Sequence, residues 1–228
     1  MRLKGFRVPY MNTNSWIKFI VKETESALTL LYTYIGFYEA LKDPEIVKSA
    51  NRNSQFWRTY TASTQQTLFL YLGRLSDDGK DCKSFSDFNN HCVLNVSDFC
   101  KDQFLTRKPE ILKINPTYLA DSEFPTKEDV CNLFAIATKY NSFFRAECKT
   151  IRSKVYAHAI LTEDHEYFHL FEKVKLTEIE SGLLAFWSVS QHLWQSFYNA
   201  RTITPELLLF QEKEKIFKSV ANVITGTT

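Results

Sequence analysis

Glycine is scarce in this chain: it occurs 6 times in 228 residues, where average usage gives roughly 16. With so few tight turns available, β-sandwiches, barrels and glycine-rich phosphate loops are disfavoured. Cysteine is present but not in pairs. Cys82, Cys92, Cys100, Cys131 and Cys148 form no CxxC, and an odd number at irregular spacing reads as free thiols in a reducing cytoplasm. No apolar run comes after Arg2, Lys4 and Arg7, so the first residues do not read as a signal peptide. Nor does any stretch approach the ~20 apolar residues of a membrane span, and no membrane partner is expected. Charge of one sign is lacking too. Against 26 Asp and Glu stand 28 Lys and Arg, a net +2, so any contact with nucleic acid has to come from a local patch.

What the chain does have is apolar and ring-rich: 44% hydrophobic residues and 15% aromatics, with 19 Phe and 11 Tyr. That composition supports a large aromatic core and excludes a disordered chain. The periodicity is helical. Trp16, Ile17, Ile20, Leu28, Leu31, Ile35 and Tyr38 recur at three- and four-residue spacing over 14–42, which predicts one long helix. Asp43 and Pro44 suit the start of a second, expected to run to about Leu75. Residues 76–125 are the least regular stretch and read as an insertion with short helices around Asp87 and Asp98. Thr126 and Asp129 resemble a capping box. Beyond it runs a stripe through Val130, Leu133, Phe134, Ala137, Tyr140, Phe144, Cys148, Ile151 and Val155. Thr177 and Glu180 predict another capped helix, and Thr204 with Pro205 a last one ending near Gly226. The expectation is one all-α domain over 1–228, a bundle of about five long helices.

Three constellations carry chemistry-bearing residues. The first closes the longest stripe: Ile151-Arg152-Ser153-Lys154-Val155-Tyr156-Ala157-His158. The stripe puts His158 on the core-facing seam, with Arg152 about 100° to one side of Ile151 and Arg145 and Lys149 above it. The plain reading is a satisfied core histidine beside a solvated cationic face. The chemical reading is a phosphate site, because imidazole titrates near neutrality and guanidinium grips phosphate with a planar fork. On an ideal helix Arg152 and His158 point ~120° apart and lie ~9 Å apart along the axis. To converge they need a helix end or kink between them, or a second copy of the chain.

The second constellation is His165-Glu166-Tyr167-Phe168-His169, an HExxH, which on a helix places two zinc ligands on one face with Glu166 as base. No third ligand stands out, and a short solvated helix explains the same residues. The third is Arg74-Leu75-Ser76-Asp77-Asp78, which either supports Arg152 and His158 or simply ends a helix and makes a turn. The aromatic stripes read as core and the cysteines as structural.

Arg152, a polar residue, then Ala157-His158 is similar to the R-x(four to six)-H motif of the HEPN superfamily, with its closest likeness to the AbiU-type abortive-infection subfamily. Thr67-Leu-Phe-Leu-Tyr-Leu-Gly-Arg-Leu-Ser-Asp77 resembles an earlier helix of that family ending in Gly-Arg-Leu-x-Asp. Phe171 to Arg201, with Leu193, Trp194, Tyr198 and Asn199, resembles its closing helix. The likeness covers about residues 14–201. It implies an all-α homodimer that brings two R-x-H motifs to one cleft, and a metal-independent, cofactor-free endoribonuclease of a defence or toxin–antitoxin system. Arg152 and His158 are then the catalytic candidates. Ser153, Tyr156, Arg74 and Asp77 support them, and Arg145 and Lys149 hold RNA phosphates. An antitoxin or other defence-system protein is the implied partner. The alternatives are a non-catalytic HEPN-like module binding nucleic acid, nucleotide or protein, and, more remotely, an HExxH zinc peptidase.

Overall fold

A computed structural model of the chain describes residues 11–77, 79, 83–157 and 169–226. They are helices joined by loops, with no strand among the described residues. The centre is α1, Thr13–Ala40, whose N-cap Asn12 accepts the Ser15 N–H at 2.9 Å. Its Ile17, Ile20, Ala27, Leu28 and Leu31 are sealed from solvent, because helices pack against it on several sides. After α2, Pro44–Asn51, comes α3, Ser54–Leu75. The chain then forms α4 (Phe85–Leu94), a 3₁₀ turn (Val96–Phe99), the short helices α5 (Lys101–Arg107) and α6 (Ile111–Ile114), and a second 3₁₀ turn (Tyr118–Asp121). Helix α7 covers Lys127–Phe143, α8 Leu176–Asn199 and α9 Lys213–Thr225. Helices α3, α8 and α9 pack on α1, and α7 packs on α8.

The irregular stretch is not an appendage. Phe85, Phe88, Cys92 and Phe99 are buried in the same core as Leu31, Leu72, Phe134 and Phe186. Phe85 stacks on Phe186 with centroids 3.8 Å apart. A smaller core joins Phe37, Ala50 and Trp57 to Val220 and Ile224 of α9.

Three expectations change. The helix expected over 44–75 breaks around Arg52, which two asparagines, Asn51 and Asn53, flank as poor helix formers; the break lets Ala50 and Trp57 both join the core around Phe37. Helix α8 has Lys175, not a capping residue, at its N-cap, because Glu180 is diverted: it accepts from the Tyr32 hydroxyl at 3.0 Å and the Lys213 ammonium at 2.9 Å. Thr204 and Pro205 do not start a helix. Residues 201–210 run beside α8 instead, where the Ser188 hydroxyl oxygen accepts the Leu208 N–H at 2.7 Å. Phe210 stacks on Tyr32 at 5.7 Å and meets Trp187 edge-on at 5.4 Å. Tertiary packing overrides a local start signal here, while the capping box of Thr126 and Asp129 forms as expected.

Candidate active site around Arg152

Beyond Phe143 the helix keeps going but widens. Phe144–Cys148 is π-helical, Lys149–Ile151 is a single α turn, and Arg152–Ala157 is π-helical again. An i→i+5 turn takes in an extra residue, so each π segment rotates the residues beyond it relative to a 3.6-residue stripe. The widening still buries the apolar positions read from the sequence: Phe144, Cys148 and Ile151 are inaccessible to solvent. The second π segment begins at Arg152, so the chain departs from ideal α geometry over the described part of the motif. His158 lies outside the described residues, as do His165 and Glu166.

The π-wound stretch packs on the C-terminal end of α3. There Asp77, two residues past the last residue of α3, meets two cations. The Arg152 Nη1 is 3.3 Å from its Oδ2, and the Lys149 Nζ is 3.5 Å from its Oδ1. The three side chains are 15%, 22% and 29% exposed for Asp77, Arg152 and Lys149, so the cluster is half-buried and less screened than a surface pair. Two cations against one carboxylate leave these three groups positive by one. Asp77 also makes a local contact: Oδ1 accepts the Gly79 N–H at 3.1 Å and closes an Asx turn.

The remaining candidates take distinct places. Arg74 is drawn to α1, its Nη2 2.8 Å from Oε2 of the nearly buried Glu23 and its guanidinium 4.3 Å above the Tyr71 ring. The structure thus brings Asp77, not Arg74, to Arg152. Tyr156 packs its ring on Phe69 at 5.8 Å and on Phe171 at 6.4 Å, which ties the second π segment to α3 and to the approach to α8. Ser153 is half-buried and Arg145 exposed. His169 is exposed and pairs with Glu172 at 3.1 Å. Among the described residues no three His, Cys, Asp or Glu side chains form a metal-holding group.

Other titratable groups have structural work. Burial, with some help from Glu147 and Glu178, pushes the Cys148 thiol far above its ordinary range, and burial does the same to Cys92; neither is a thiolate nucleophile at neutral pH. His91 and Thr13 share a hydrogen bond of 2.8 Å, and the Thr13 hydroxyl donates to Asp98. His192 is buried on α8 against the Glu206 carbonyl, 3.2 Å away.

The contact that the sequence did not announce is made at Gly73, the glycine of the Gly-Arg-Leu-x-Asp stretch. This residue is buried on α3 one turn before Asp77, and the Arg152 side chain crosses it. The available signal was a glycine inside an apolar helix of a chain with only 6 glycines. No family model, no curated protein and no solved structure matches this chain. Among the described residues no helix is long and apolar enough to cross a membrane.

Proposed function

We propose that the chain is a metal-independent endoribonuclease of HEPN type, working as a homodimer in a defence or toxin–antitoxin setting. RNA supplies its own nucleophile, the 2′-OH. The enzyme has to take that proton, stabilise the charge that develops on phosphorus and protonate the leaving 5′-oxygen. In this reading His158 acts as base or acid, Arg152 stabilises the phosphate in the transition state, and Arg145 and Lys149 align the strand. The defence setting and the neutralising partner rest on the motif resemblance.

The observation that carries the reading is the arrested guanidinium. Arg152 is half-buried, held by Asp77 at 3.3 Å beside Lys149, and opens the π segment Arg152–Ala157. An arginine held in advance loses little freedom when it meets a phosphate, which favours the transition state over loose binding. The experiment is incubation of purified protein with RNA in EDTA, and then analysis of the new ends. A 2′,3′-cyclic phosphate, lost in Arg152→Ala and His158→Ala proteins that still fold, supports the proposal.

One observation also suits the alternative of a non-catalytic binding module. Asp77 neutralises part of the charge around Arg152, and a cluster that keeps one net positive charge among its three groups serves binding as well as cleavage. RNA retained by the protein with no new ends after long incubation selects that alternative.

A further inference from the structure

We propose that Gly73 is a positioning residue for Arg152. Glycine in a helix interior weakens it relative to alanine, so its presence calls for a reason. Backbone conformation is not that reason: Gly226 is the glycine with positive φ among the described residues. Space is the reason. A Cβ placed on Gly73 falls well inside van der Waals contact of the Arg152 Cδ, 2.8 Å from its Nε and 3.0 Å from its Nη1. Three positions along the arginine therefore lie flat on the bare backbone of α3. Four residues later, just past the end of α3, Asp77 receives the end of that side chain. The glycine is the bed and the carboxylate is the end stop. The nearest atoms that a methyl group would meet all belong to the mobile end of one side chain, so the substitution moves the arginine and leaves the helix in place.

What Arg152 does to RNA is taken from the ribonuclease reading; where Arg152 lies is not, and the two are tested apart. The first arm is thermal unfolding of four proteins: wild type, Gly73→Ala, Arg152→Ala and the double variant. With the arginine gone, alanine at 73 exerts its full helix preference and raises the melting temperature by about 2–4 °C. With the arginine present, the same change gives a clearly smaller rise or a fall. An equal shift in both backgrounds overturns the proposal. The second arm is single-turnover cleavage of an RNA oligonucleotide by Gly73→Ala. The rate at saturating RNA is expected to drop about a hundredfold, with the half-saturating concentration little changed and the fold intact, a pattern that simple destabilisation does not give. A wild-type rate in Gly73→Ala overturns the positioning role. If the wild-type chain cleaves no RNA, the ribonuclease reading falls, and the unfolding cycle alone decides whether Gly73 places Arg152.

Discussion

The helix from Lys127 to Ala157 widens twice, and the two π segments are built alike but used differently. Each opens with a bulky side chain that lies over a glycine of a neighbouring helix: Phe144 over Gly182 of α8, and Arg152 over Gly73 of α3. At the first, the ring is fully buried and meets Phe186 edge-on at 5.4 Å. A Cβ on Gly182 would sit 2.5 Å from the Phe144 Cζ and 3.1 Å from the Tyr140 Cβ, with no room for the ring to move. At the second, the arginine tip is partly exposed and can swing away. Close approach of a helix to a bare backbone serves packing in one place and presents a cation in the other. What separates them is whether the inserted side chain has anywhere to go.

That contrast sets the order of expected effects. Phe144→Ala empties a sealed site and costs about 3–5 kcal/mol, read as a lower urea midpoint. Gly182→Ala overpacks the same site and costs about 1–3 kcal/mol. If Gly182→Ala is as harmless to stability as Gly73→Ala, the difference between the two sites disappears. Arg152→Ala removes a half-buried ion pair, worth about 1 kcal/mol, yet abolishes RNA cleavage. Asp77→Asn removes the carboxylate that competes with phosphate for Lys149 and Arg152. A non-cleavable 2′-O-methyl RNA then binds several-fold more tightly by fluorescence anisotropy, while a normal RNA is cleaved more slowly because the guanidinium has lost its end stop.

The smallest effect is a pH dependence away from both π segments. Burial, opposed in part by Asp98, holds the His91 imidazole below its ordinary value of 6.5. Near and below that pH the unfolded chain takes up a proton that the folded chain refuses. Stability is therefore full above about pH 6.5 and falls as pH drops from there towards the lower folded value. The urea midpoint at pH 5.5 lies below that at pH 7.5, and His91→Gln flattens the difference.

Much of this frame was legible in the sequence. Regular spacing of Ile17, Ile20, Leu28 and Leu31 announced α1, and Thr126 with Asp129 announced the start of α7, because both signals act within one or two turns. The misplaced starts at Thr204 and Thr177 share one cause. A distant partner took the residue that local rules had assigned: Ser188 and Tyr32 captured the strap around Leu208 and Phe210, and Lys213 with Tyr32 captured Glu180. At the candidate site, the types Arg152, Lys149 and Asp77 were readable, and the pairing of Asp77 with both cations was not, since it joins helices far apart in the chain. Gly73 was readable as part of Gly-Arg-Leu-x-Asp, but its contact was not, for a related reason: its meaning lies in a side chain that arrives from residue 152.

The most direct measurement compares two RNA oligonucleotides in EDTA, identical except for a single 2′-deoxy sugar at the cleaved position. If His158 and Arg152 act by activating the substrate's own 2′-OH, the all-ribose strand is cut to a 2′,3′-cyclic phosphate and the substituted strand survives at that position. Equal cleavage of the two strands contradicts the account.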